Sequence, residues 1–235
     1  MKKLMFAAAA LTAGIAMADV VSSDIVGYAQ SGLKSGNTMS TAQFLDVGGE
    51  PMDLQSLAAT GDDTSDNVVI STLDAYGFTV DTYAWNDWVA ENPCWVNDSF
   101  EPVEGVSFAP GQALWVQASA ADQGLQSAGK VGTADVVVTL RTGNTAAGNP
   151  FPVAVDLQSI VAEGEDTSDN VVISTLDAYG FTVDTYAWND WVAENPCWVN
   201  DSFEPVEGVS FAAGAGLWIQ ASSATQSIRF PAPEL

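Results

Sequence analysis

Asp81, Tyr83 and Trp85 stand at alternate positions in a run that reads as a strand, and the same triplet returns as Asp184, Tyr186 and Trp188. Alternate residues of an extended chain share a face, so each triplet places a carboxylate, a phenol and an indole side by side. Flat rings cover the apolar face of a sugar while carboxylates accept from its hydroxyls, which makes reversible glycan binding the chemistry on offer. Trp115, alternating against Leu114 and Val116, and its equivalent Trp218 extend the set. The competing expectation is that tryptophans fill a small core, because large aromatics bury the most area per side chain.

Two acidic loops offer different chemistry. Asp62, Asp63 and Asp66, interleaved with Thr64, Ser65 and Asn67, are repeated as Glu165, Asp166 and Asp169. Hard oxygen ligands at alternate positions suit Ca2+, the one cofactor the chain suggests, although the loop lacks the glycine and the later bidentate glutamate of an EF-hand. The alternative is a polar turn that starts a strand. The Asp-Thr-Ser within each loop is superficially similar to an aspartic-protease motif. Ser65 and Ser168 fill the place where that motif needs glycine, so the match fails.

No histidine occurs anywhere in the chain. Ser-His-Asp and Cys-His nucleophiles and His-ligated zinc are thereby excluded. A glycosidase would need two carboxylates ~5 to 10 Å apart across a cleft, and nothing in the order of residues places such a pair. The chain therefore reads as non-enzymatic. Cys94 and Cys197 sit in the same Asn-Pro-Cys-Trp context in the two copies, so neither copy closes its own disulfide. Three outcomes stay open: free thiols, a bridge between the copies, or a bridge between chains.

What positions these residues is a duplication. Asp63 to Ala109 recurs without change as Asp166 to Ala212, an offset of 103 residues, about one small domain. Within the cassette, Val68 to Leu73 reads as a strand, Asp74 to Gly77 as a turn and Phe78 to Trp85 as a second strand; Ala113 to Ala118 is a third. In the second strand, Phe78, Val80, Thr82 and Ala84 are expected to face the core, and Thr79, Asp81, Tyr83 and Trp85 to be partly wet. Asp53 should cap a helical turn over Leu54 to Leu57. Between Thr38 and Asp53 the second copy is four residues shorter, as expected for a shortened loop. Many short strands with regular turn signals predict an all-β fold, with two tandem β-sandwich-like domains over 19–131 and 132–235. A single fused sandwich with one sheet from each copy is the alternative.

Residues 1–18 read as a signal peptide: Lys2 and Lys3, a short apolar run over Leu4 to Ile15, and Ala16-Met17-Ala18 before Asp19. The apolar run is too short to span a bilayer, and no later segment is long enough, so membrane insertion is not expected. The chain carries 30 acidic residues and 6 basic ones, net −24, and loss of the two leader lysines takes this to −26. A polyanion such as nucleic acid is excluded as a natural partner. The same charge makes the molecule repel itself, a repulsion that salt screens.

The mature start Ser22-Ser23-Asp24-Ile25-Val26-Gly27-Tyr28 and the closing strand Pro110-Gly111-Gln112-Ala113-Leu114-Trp115-Val116 resemble a loose family of exported bacterial β-rich proteins. Its late motif usually reads Pro-Gly-x-Gly-aromatic-Trp/Phe. The chain departs from it at Ala113 and Leu114, and its second copy, Gly214-Ala215-Gly216-Leu217-Trp218, restores a glycine and loses the proline. The resemblance implies export and an all-β unit. The resulting expectation is an acidic protein of the cell surface, extracellular space or periplasm with a structural or adhesive role. Self-association or cell-surface components are its expected partners, and glycan binding is the alternative.

Overall fold

The computed structural model describes residues 26–233. The expected signal peptide over 1–18 and most of the Ser22–Tyr28 motif lie outside the described residues. The chain is all-β, with two single-turn 3-10 helices and no α-helix among the described residues. The first copy supplies β1 (Val26–Gly32), β2 (Gly36–Thr41), β3 (Phe44–Leu45), β4 (Met52–Asp53), β5 (Ala58–Thr60), β6 (Val68–Leu73), β7 (Thr79–Asn86), β8 (Cys94–Val96), β9 (Ser107–Phe108), β10 (Ala113–Ala118) and β11 (Gly124–Val131). The second supplies β12 (Val136–Thr139), β13 (Gly143–Gly148), β14 (Val155–Asp156), β15 (Val161–Glu163), β16 (Val172–Leu176), β17 (Thr182–Asn189), β18 (Cys197–Val199), β19 (Ser210–Phe211), β20 (Gly216–Ala221) and β21 (Ser227–Phe230).

Each copy holds a five-stranded antiparallel sheet, β2-β10-β6-β7-β8 or β13-β20-β16-β17-β18. A smaller sheet accompanies it: β11 with β1, β3 and β5 in the first copy, and β12-β21-β15 in the second. A two-stranded ladder, β4 with β9 or β14 with β19, completes each set. The four larger sheets are arranged like the blades of a four-bladed propeller. The 3-10 turn over Leu54–Ser56 forms where the sequence signals it, since Asp53 accepts from the Gln55 N–H at 2.8 Å. The four residues missing from the second copy take with them the Asp46–Glu50 turn, and the second copy has no counterpart of β3.

Two apolar clusters form, one per copy. Each joins side chains of the five-stranded sheet, such as Ile70, Leu114 and Val116, to side chains of the smaller sheet, such as Phe44, Leu125 and Val131. At the centre of each lies a tryptophan pair. Trp85 meets the fully buried Trp95 edge-on, centroids 5.2 Å apart at 66°, and Trp188 meets Trp198 with the same geometry. Trp95 Nε1 donates to the Leu57 carbonyl and Trp198 Nε1 to that of Ile160, each at 2.8 Å. The polar end of a buried indole is thereby satisfied, as burial requires.

The face assignment of β7 is therefore reversed. Trp85 and Trp188 are 8% and 6% exposed and belong to the cores, with Tyr83 and Tyr186 packed against them. Phe78 and Val80, expected inside, are on the surface. Alternation fixes which residues share a face, but not which face is covered; that is settled by Trp95 and the smaller sheet, against which Trp85 packs.

The copies are related by an approximate two-fold axis. Asn37 donates from its backbone N–H and its Nδ2 to the Ala178 carbonyl, and Asn144, its equivalent, does the same to Ala75, all at 3.1–3.2 Å. Thr41 N–H donates to Gly214 O, and the matching Gly148 N–H to Gly111 O. The bridges Ser40 to Ala215 and Gln112 to Ala147 are reciprocal in the same way. Contacts of the form i to j and j to i define an isologous, two-fold interface and exclude a simple translation.

Candidate functional site

The reciprocal bonds of Asn144 and Asn37 are accepted by the turn of the β6–β7 hairpin and by its equivalent between β16 and β17. Asp74 holds the first turn by accepting from the N–H groups of Tyr76 and Phe78 at 2.8 and 2.9 Å, and Asp177 does the same for Tyr179 and Phe181. Gly77 sits at φ 86° and Gly180 at φ 85°, where side chains are strained. Each turn crosses to the other copy and ends against a tryptophan. A Cβ on Gly77 would lie 3.6 Å from Trp218 Cζ2, and one on Gly180 3.4 Å from Trp115 Cη2.

A cleft of about 360 Å3 opens on the two-fold axis as a result. Its walls are Trp115, Tyr76 and Thr79 with their counterparts Trp218, Tyr179 and Thr182, together with Leu73, Leu176 and the two turn glycines. Trp115 reaches it because Leu114 and Val116, its neighbours along β10, face the core. Both tryptophans are half-buried, while Tyr76 and Tyr179 are each 82% exposed at the rim. No charged side chain lines the cleft. Aromatic faces, phenol and threonine hydroxyls and a lack of charge suit a neutral, hydroxyl-rich ligand.

Of the residues that the sequence marks as a glycan platform, the structure brings Trp115 and Trp218 together and separates the rest from them. Trp85 and Trp188 are in the cores. Tyr83 and Tyr186 are half-buried, and their phenols are held above the usual range by burial and, secondarily, by the neighbouring carboxylates of Asp81 and Asp184. Asp81 and Asp184 are exposed, bonded at 3.3 Å to Thr72 and Thr175 across the hairpin. Asp81 instead lines a second groove between the copies, of about 590 Å3, with Arg141 on its other side. The Arg141 Nη2 donates to the Leu73 carbonyl at 3.1 Å.

The acidic loops are tied to the fold through backbone carbonyls and one carboxylate each. Gln123 Nε2 donates to the carbonyls of Asp62 and Asp63, and Gln226 Nε2 to those of Glu165 and Asp166. Asp66 and Asp169 accept from the fully buried Asn86 and Asn189 at 3.0 and 2.9 Å. Among the described residues, no three carboxylates or thiols are grouped so as to hold a metal ion. Cys94 and Cys197 are both free and half-buried. The strongest contacts between copies run through β2, β10, β13 and β20, whereas β8 and β18, which carry the cysteines, are edge strands of their sheets.

Sequence reasoning missed two features. Tyr76 and Tyr179 lie in a turn, where an aromatic at the tip is itself a signal because it has no core to enter. The second is an exposed aromatic pair in each copy. Trp88, 62% exposed, rests on Phe100 with centroids 5.5 Å apart, and Trp191 rests on Phe203 likewise. Phe100 and Phe203 hold φ of 58° and 59°, a conformation that is rare for a bulky residue. Comparison of the chain with family models, with curated proteins and with solved structures gave no match.

Proposed function

We propose that the chain is an exported, non-enzymatic surface or extracellular protein with a structural or adhesive role, acting through apolar side chains that it displays twice. The observation that carries this reading is the duplicated exposed set Phe78, Val80, Trp88 and Phe100, repeated as Phe181, Val183, Trp191 and Phe203. Within each set Trp88 packs on Phe100, or Trp191 on Phe203, and exposed apolar groupings mark interaction sites. Two equal patches on one chain let the second engagement profit from the first. Each repeat, 19–131 and 132–235, acts in this reading as its own sandwich-like unit, supported by an apolar cluster drawn from both of its sheets.

The net charge opposes such association, which gives the test its lever. Sedimentation velocity of the mature chain, run from about 0.01 M to about 1 M sodium chloride, shortens the Debye length from ~30 Å to ~3 Å. Association should grow with salt and should be lost when Trp88 and Trp191 are both changed to Ala. Calcium added at matched ionic strength separates site binding from screening. A chain that stays monomeric throughout, or whose assembly ignores the double substitution, would refute the proposal.

A second reading, glycan binding, is favoured by a separate observation: Trp115 and Trp218, with two tyrosines, converge on one uncharged cleft. Neutral oligosaccharides that quench or shift the tryptophan emission of the wild-type chain, but not of a variant with both Trp115 and Trp218 changed to Ala, would support it.

A further inference from the structure

Resting on the glycan reading, we propose that the two-fold cleft is a single composite site that takes one neutral oligosaccharide per chain, gripped by both copies at once. A duplicated chain would ordinarily be expected to carry two equal and independent sites, one per copy. The geometry is against that here, because neither copy possesses a complete wall. Trp115 of the first copy lines the cleft beside Gly180 of the second, where an added methyl would just touch its six-membered ring, and Trp218 lies in the same way beside Gly77 of the first. Removing either copy takes away half of the lining.

The cleft's size supports one occupant. About 360 Å3 is at the lower end of the roughly 300–1,000 Å3 typical of small-molecule sites, room for a disaccharide-sized segment and not for two chains. Its chemistry sets the class. Two indole rings in the lining offer apolar surface for sugar rings, and the hydroxyls of Tyr76, Tyr179, Thr79 and Thr182 both donate and accept. With no lysine or arginine in the lining and −24 on the chain, sulfated, sialylated or uronic-acid glycans meet a repulsive field with nothing to pair them.

The reciprocal bonds from Asn37 to Ala178 and from Asn144 to Ala75 fix both hairpin turns before any ligand arrives. The site is thus preformed, and binding requires little ordering of the chain beyond the exposed tyrosine rings.

The test is isothermal titration with neutral tetrasaccharides, of glucose and of N-acetylglucosamine, with heparin fragments as the acidic counterpart. The expected result is one sugar per chain. Trp115→Ala and Trp218→Ala should each weaken binding by at least about tenfold, since each removes a stacking partner from the same site. Tyr76→Ala and Tyr179→Ala, at positions too exposed to unfold the chain, should each weaken it as well. Two sugars per chain, with each single tryptophan substitution halving the stoichiometry and leaving the affinity alone, would overturn the composite site while leaving the glycan reading intact. Indifference of the affinity to both tyrosine substitutions would also overturn the composite site. No binding of any neutral probe at about 10 mM, where a site of ~1 mM would be filled, would remove the glycan reading itself. Preference for heparin would overturn the neutral class.

Discussion

Trp85→Ala is the substitution on which the corrected reading of β7 turns, because a wet platform residue and a core residue respond oppositely to it. The side chain is 8% exposed and packs edge-on against Trp95. An indole removes roughly 200 Å2 of surface from water, which at ~25 cal/mol/Å2 is about 5 kcal/mol, reduced by ~10–40% because the denatured chain already hides some of it. The lost edge-to-face pair adds ~1 kcal/mol, so the expected cost is about 4–5.5 kcal/mol, at the upper part of the range for large aromatics cut to alanine. In urea, with an m-value near ~2 kcal/mol/M, the midpoint should fall by about 2–3 M, followed by far-ultraviolet circular dichroism. Trp188→Ala has equivalent ring geometry in the other core and is 6% exposed, so it should cost about as much, within the ~1 kcal/mol by which differing neighbours change such a loss. The reasoning fails if both variants keep the wild-type midpoint, for then neither indole is part of a core.

The other expectations are shorter. Asn86→Ala deprives the backbone N–H groups of Trp88 and Val89 of their acceptor, Asn86 Oδ1 at 3.1 and 2.9 Å; with the Asn86 side chain fully buried and the donors partly wet, this should cost ~1–3 kcal/mol by denaturant unfolding, with Asn189→Ala as the internal match. Tyr83 and Tyr186 have raised pKa values in the fold. They favour the folded state while protonated, so their contribution is whole below the ordinary tyrosine value of about 10 and is lost as pH rises through the folded values; the melting temperature should drop on that alkaline limb, and a flatter limb is expected once both are Phe. For the cysteines, a thiol assay under denaturing conditions should find two per monomer, or chains joined through them; a monomer with no titratable thiol would contradict the edge-strand placement.

Much of the local structure was legible. β6 spans the residues its β-branched run marks, β10 matches Ala113 to Ala118, and Asp53 caps the turn that follows it. These are short-range effects, written in neighbouring residues. Burial was less legible. In the run from Phe78 to Trp85 both alternating sets carry aromatics, Phe78 in one and Tyr83 and Trp85 in the other, so hydrophobicity alone could not choose between them. The choice is made by what lies across the cluster, Trp95 and the smaller sheet, more than any local window contains. Phe100 was illegible for another reason: a phenylalanine gives no warning of positive φ, and only the turn bonds around Asn97 reveal it.

The candidate site was half visible for a reason that lies in the duplication itself. Two identical cassettes state that equivalent residues have equivalent neighbours, but they are silent on the operator that relates the copies. Under a translation, Trp115 and Trp218 would face the same way, far apart, and each copy would own a site. Under the two-fold axis seen here, residues near the axis meet their counterparts' surroundings, and residues far from it diverge. Trp115 is on β10, one strand from the sheet edge that joins the other copy, and so converges with Trp218. Cys94 is on β8, three strand spacings or roughly 14 Å farther across the same sheet, which carries it away from the contacts that a bridge limited to ~7 Å between Cα atoms would need. One operator thus accounts both for the shared cleft and for the two free thiols.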